Sequence, residues 1–134
     1  MTTDEGDENR NERHKAGMET LRKLHPGLAT GFTEALGEFA PELVRLTTEY
    51  CFADLYAREE LDPRLRQTAT LAAMIAQGVP DGILKNHFEI ARNVGLSRNE
   101  IAEIILQLTA YAGFPAAIHA MMIAKSVFEE QPQS

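Results

Sequence analysis

The chain reads as an all-α protein, and three observations carry that reading. Apolar residues recur at helical spacing along almost the whole length, with no strong alternating run of the kind a strand gives. The apolar set is rich in alanine, leucine and isoleucine. Apolar residues make up 44% of the chain but aromatics only 7%, with no tryptophan, which suits packed helices better than a sheet. Start and stop signals punctuate the sequence, with proline or capping residues opening segments and glycine closing them.

Residues 1–12 carry five acids, Asp4, Glu5, Asp7, Glu8 and Glu12, against Arg10. With no apolar residue after Met1, this stretch is expected to be a disordered acidic tail outside the folded domain. Residues 13–24 form a first helix, stopped by His25-Pro26-Gly27, and a short helix follows to about Phe39. Pro41 opens a third helix, which carries Leu43, Val44, Leu46, Tyr50 and Leu55 and reaches about Arg58. Asp62-Pro63 pairs an N-cap acid with proline at the first helical position. The helix it starts is apolar on nearly every side between Ala69 and Ala76, a pattern expected of a buried helix.

Gly78 ends that helix, Pro80 opens the next, and Gly95 ends it. Ser97-Arg98-Asn99-Glu100 is a capping box, in which hydroxyl and carboxylate each satisfy a free backbone donor. Ile101, Ile104, Ile105 and Leu108 follow as a core stripe. Gly113 stops this helix and Pro115 starts the last. There Ala117, Ile118, Met121, Met122, Ala124 and Phe128 make an apolar face wide for so small a chain. Such a band points to partner contact, so a homo-oligomer is expected, with a folded helical domain over residues 13–130.

Bulk properties narrow the function. A net charge of −7 argues against a nucleic-acid surface. No apolar run approaches the roughly 20 residues needed to cross a bilayer, so no membrane partner is expected. The first residues lack the basic start and apolar stretch of a secretory signal. Cys51 is the one cysteine and cannot form an intramolecular disulfide, so a reduced, cytoplasmic setting is expected.

His87 is the most informative residue. On a helix, Ile83, Leu84, His87, Ile90, Ala91 and Val94 fall on one apolar stripe, while Lys85, Glu89 and Arg92 take the other side. An inward imidazole must find a hydrogen-bond partner or cost about 1–3 kcal/mol. Near neutral pH it can act as acid or base. It is either a packed core histidine or the wall of a site.

Three segments resemble the carboxymuconolactone decarboxylase family. The first is Tyr56-Ala57-Arg58 with Leu61-Asp62-Pro63-Arg64-Leu65-Arg66 and the alanine-rich helix. The second is His87, Gly95 and the capped Ser97-Arg98-Asn99-Glu100-Ile101 start. The third is Gln107 with Tyr111-Ala112-Gly113-Phe114-Pro115-Ala116-Ala117. The resemblance runs from about Arg13 to Phe128. It implies an AhpD-like helical bundle assembled as an obligate oligomer, commonly a trimer or hexamer. A shared fold spans more than one reaction.

One branch is similar to alkylhydroperoxidases of the AhpD type, whose Cys-x-x-Cys precedes the matching histidine. Here those positions read Pro80-Asp81-Gly82-Ile83, so both thiols that a dithiol peroxidase needs are missing. The other branch decarboxylates γ-carboxymuconolactone without metal or organic cofactor. That resemblance implies His87 as the catalytic group. Arg58, Arg64 and Arg66 are the cations that would hold a carboxylated small molecule, with Gln67, Tyr111 and His119 as further site candidates. Many family members carry glutamate where this chain has Gln67, and asparagine or serine where it has His119; an amide bonds but does not exchange a proton at useful pH.

Each candidate has a plainer alternative. The arginines can pair with Glu59, Glu60 and Asp62 at the surface, Tyr111 can be a packing residue, and His119, which could face the same cavity as His87 or an oligomer axis, can simply pack. His87 and His119 lack the spacing of a metal motif, so no metal is expected. The leading reading is cofactor-independent acid–base decarboxylation, or a related reaction, on a small carboxylated lactone or keto acid. A non-catalytic ligand-binding or structural oligomer is the alternative, and a peroxidase remnant without the dithiol is third.

Overall fold

A computed structural model describes residues 3–130, with seven α-helices, one π-helix and no strand among them. The chain divides between Leu61 and Asp62 into two compact units.

The first unit holds α1 (Thr3–Leu24), α2 (Pro26–Leu36), α3 (Pro41–Leu46) and the π-helix Thr47–Leu55. Helix α1 starts well before the expected residue 13, so residues 3–12, read from sequence as a disordered tail, are helical. Their exposure from Gly6 to Glu12 shows why apolar periodicity missed them: this part of α1 buries nothing. Acids near a helix N-terminus are favoured by the helix dipole, which suits this acidic stretch to a helix start. Residues 1 and 2 lie outside the described residues. His25 is the N-cap of α2, its Nδ1 accepting from the Leu28 N–H at 2.9 Å.

The third helix departs from the expected continuous α-helix. After Leu46 the backbone widens to the π pattern, with the Tyr56 N–H donating to the Cys51 carbonyl at 2.8 Å. Thr48, Glu49 and Phe52 turn inward, and α1 packs on this segment. Gly17 makes that packing possible, because a Cβ there would overlap the Thr48 carbonyl oxygen. Sequence periodicity did not reveal the change, since spacings of three and four residues persist through it.

The second unit is built from α4 (Pro63–Gln77), α5 (Asp81–Asn93), α6 (Arg98–Leu108) and α7 (Phe114–Glu129). Its boundaries follow the local chemistry read from sequence. Asp62 caps α4 by accepting from the Arg64 N–H at 2.8 Å, and Gly78 ends it in the left-handed conformation at φ 68°. The Ser97–Glu100 box opens α6 with both hydrogen bonds at 3.0 Å. Leu71, Ile75, Leu84, Phe88, Ile101, Ile105, Ala117, Ala120 and Ala124 meet in one core.

Two burial expectations change. Helix α4 buries one face, Gln67, Leu71 and Ile75, while Ala69, Ala73 and Ala76 are exposed; alanine is too small to say which way a face turns. On α5 the buried face is Leu84, Phe88, Ile90 and Ala91, with Ile83 exposed. The stripe is therefore centred on Phe88 rather than His87, and the His87 side chain is half-buried beside it.

Candidate functional site

Gln67 and His87 form the most specific polar contact in the second unit. Gln67 continues the buried column of α4 one turn before Leu71 and two before Ile75, and it is fully buried. Its Nε2 donates to the backbone carbonyl of His87 at 3.0 Å and lies 3.2 Å from His87 Nδ1. Helices α4 and α5 pack together, and this amide ties them at the middle of α5. One side chain thus holds both the helix and the ring of His87.

The other expected site residues are spread around this pair. Arg66, next to Gln67 on α4, is half-buried, and its buried Nε has no hydrogen-bond partner among the described residues. Arg64 is exposed and ion-paired with Glu100. It lines a cavity of about 640 Å³ whose walls include Asp62, Thr68, Glu100 and Glu103, with no contribution from His87. Three acids, Asp62, Glu100 and Glu103, lie on that wall, and its arginine is paired with one of them. Arg58 is exposed and belongs to the first unit, in the turn after the π-helix.

Tyr111 is 79% exposed at the end of α6. His119 is also exposed, and its Nε2 lies 2.7 Å from Asp81 Oδ1 in the first turn of α5. That contact, with the Arg92 Nη1 donation to the Val127 carbonyl at 3.2 Å and the Lys85–Glu130 pair at 2.8 Å, fastens α7 to α5. The structure therefore gives His119 a surface partner at a helix start.

Sequence reading missed one charged cluster altogether. In the first unit Glu49 is 2% exposed, with Oε2 at 2.9 Å from Arg45 Nη1 and 3.7 Å from Arg13 Nη1. Arg45 also binds Glu42 through Nη2 and Nε, at 2.7 and 3.2 Å. The Arg45 guanidinium holds the Glu42 carboxyl below the usual carboxylate range. Glu49 Oε1 is buried without a partner among the described residues, and Glu49 borders a cavity of about 470 Å³ with Arg10, His14 and Arg45. The Arg45-to-Glu49 spacing of four residues was the available signal. Among the described residues no cluster of three or more His, Cys, Asp or Glu side chains could hold a metal ion.

Comparison with known proteins now decides the family. The carboxymuconolactone decarboxylase profile matches residues 41–126, spanning both units and including Gln67 and His87. The chain belongs to the carboxymuconolactone decarboxylase family. A 4-carboxymuconolactone decarboxylase from Acinetobacter baylyi is 28% identical over 123 residues, covering 91% of each chain. An uncharacterized 15.0 kDa protein from the nqo9-nqo10 intergenic region of Paracoccus denitrificans is 30% identical over 120 residues, covering 89% of this chain and 90% of its own. Membership thus comes with relatives of the same length, one named for a reaction and one not.

Proposed function

We propose that this family member decarboxylates a small carboxylated lactone or keto acid, γ-carboxymuconolactone being the first candidate, with no metal or organic cofactor. The observation that carries the reading is the Gln67–His87 contact: a half-buried imidazole held by a fully buried amide inside the family-matched segment. In such a reaction the bond to the leaving carboxylate breaks and its electron pair moves into the conjugated carbonyl. Carbon dioxide departs, and the carbon takes a proton. His87 is the residue assigned to that charge and proton movement. Arg66 is the favoured holder of a retained carboxylate, because its buried Nε donor lacks a partner and a desolvated donor gains most from an anion. Arg58 and Arg64 are secondary candidates, and Arg64 would have to leave Glu100 first.

The same reading includes a homo-oligomer, a trimer or hexamer, in a reducing cytoplasmic setting. Leu106, Tyr111, Phe114, Ile118 and Met122 are all more than half exposed on α6, α7 and the turn between them, an apolar face that a partner copy would cover. No helix among the described residues is long and apolar enough to cross a membrane.

A non-catalytic ligand-binding oligomer is the second reading, favoured by the amide of Gln67, which exchanges no proton. One assay separates the two. Carbon dioxide release from γ-carboxymuconolactone is expected from the wild type and should fall about 10²-fold in His87→Ala, the scale of a lost acid–base or oxyanion-stabilising group. Helical circular dichroism and assembly size should not change. Binding of the lactone without turnover by the wild type would replace the lyase with the binding protein.

A further inference from the structure

We propose that a small cavity between α6 and α7 is a second ligand site, which takes a monocarboxylate with an apolar body, a single ring or a short alkyl chain. The inference goes beyond the proposed reaction and does not depend on it, because neither Gln67 nor His87 lines this cavity.

Helical spacing builds the walls. On α6, Arg98, Ile101 and Ala102 stand at i, i+3 and i+4 and so share one face. On α7, Met121, Ala124, Lys125 and Phe128 repeat at i, i+3, i+4 and i+7. The start of α6 meets the end of α7, and the two faces border about 220 Å³ of open space. Ile101 and Ala124 are buried and offer aliphatic carbon. Half-buried Phe128 adds an aromatic ring, and Met121, 37% exposed, adds a thioether that adapts to the shape of a neighbour. Sites for drug-sized ligands enclose about 300–1,000 Å³, so this one suits a smaller molecule.

Charge selects the ligand class. The cavities bordered by Arg64 and by Glu49 each carry three acids, and the one beside Met122 carries no charge. Here the wall holds two cations and no acid, in a chain whose net charge is −7. The Arg98 side chain makes no ion pair among the described residues. Lys125 has Glu129 at 3.5 Å, with the two side chains 66% and 62% exposed, and an ion pair that open to water contributes little. Both cations are therefore available to an incoming anion. A carboxylate suits the two together: the guanidinium fork takes its two oxygens and the ammonium adds a point charge. The apolar body then displaces water from Ile101, Ala124 and Phe128. A second copy of the chain is the poorer occupant, since it would have to bury both cations, and burying charge is costly without a matched partner.

The probe is benzoate, and its neutral isostere benzamide is the control. With the methionine methyls labelled with ¹³C, Met121 reports on the cavity and Met121→Leu assigns its signal. Benzoate should shift the Met121 methyl saturably, with a Kd below about 1 mM, and leave Met74 in place. Benzamide should bind at least about tenfold more weakly, because it fills the same space without the charge. Arg98→Gln combined with Lys125→Gln should weaken benzoate about tenfold or more and leave benzamide unchanged. Benzoate that does not move Met121, benzamide that binds equally well, or a double variant that binds benzoate like the wild type would each overturn the site. Should the double variant fail to fold, the comparison of benzoate with benzamide on the wild type decides. Its assembly size should match the wild type; a shift in size would assign the two cations to a contact between copies and overturn the ligand site. His87→Ala should leave the titration unchanged, and loss of the Met121 shift in that variant would overturn a site separate from His87.

Discussion

A methyl group added at Gly17 would run into the Thr48 carbonyl oxygen, where α1 meets the π-helix. Neither backbone can retreat without disturbing Thr48 and Glu49, which are buried beside the contact. Gly17→Ala should therefore destabilise by about 3 kcal/mol, the upper end for overpacking a well-filled interior, as read from urea unfolding. Wild-type stability would mean the two elements separate freely. Cys51 gives a prediction of the opposite kind. Burial pushes its thiol up from the ordinary value, so little reactive thiolate forms at neutral pH, and no second cysteine can resolve a sulfenic acid. Hydroperoxide turnover with a dithiol reductant should be absent, and Cys51→Ala should not change that; turnover surviving the substitution would require a nucleophile other than a cysteine thiol. His87 was legible at this scale because a titratable ring interrupted an apolar pattern. Its partner was not: Gln67 looks like an ordinary surface amide until Leu71 and Ile75 show that its column faces inward. The buried Glu49 was hidden for a similar reason, since one-dimensional spacing does not separate a surface ion pair from an interior one.

At the scale of elements, the boundaries that sequence chemistry specified are the ones found. Asp62, Gly78, Ser97 and Gly113 act through local hydrogen bonds or local backbone geometry, and those need no tertiary context. What periodicity could not supply was phase and pitch. Ile83 at the start of α5 pulled the expected stripe one residue away from Phe88, and the widened turn after Leu46 keeps an α-like apolar spacing. The α6 start also carries a pH prediction. Glu100 is held below the usual carboxylate range, first by the Ser97 backbone N–H and then by the Arg64 guanidinium. A carboxyl whose folded value is depressed stabilises above its unfolded value, and that contribution disappears as pH falls through the folded one. The stability gap between wild type and Glu100→Ala should be widest near neutral pH. It should narrow as pH drops below the ordinary carboxylate range, and salt should shrink the Arg64 part. A gap that stays constant down to low pH would assign the effect to helix propensity alone.

At the largest scale, the second unit carries an exposed apolar band of its own. Ile118 and Met122 project from α7 and Leu106 from α6 around a cavity of about 310 Å³, with Phe114 at its edge, and Met122 is 67% exposed. Scattered apolar residues on a surface need no explanation, but a contiguous band does. Much of it was visible in the sequence, because Ile118, Met121 and Met122 repeat at helical spacing with no charge between Pro115 and Ala124. The structure adds that they point away from the core formed by Ala117, Ala120 and Ala124 on the same helix. Over the first half of α7 small residues face in and large ones face out, whereas Ile123, Val127 and Phe128 further along pack inward. Light scattering at micromolar concentration should accordingly give a multiple of 14.9 kDa. A double substitution, Ile118→Asp with Met122→Asp, places two charges where a partner copy would have to bury them and should shift the protein to monomer. The core it spares is made of other residues, so helical circular dichroism should persist. A wild type that scatters as a monomer at these concentrations would mean that the band serves something other than self-assembly.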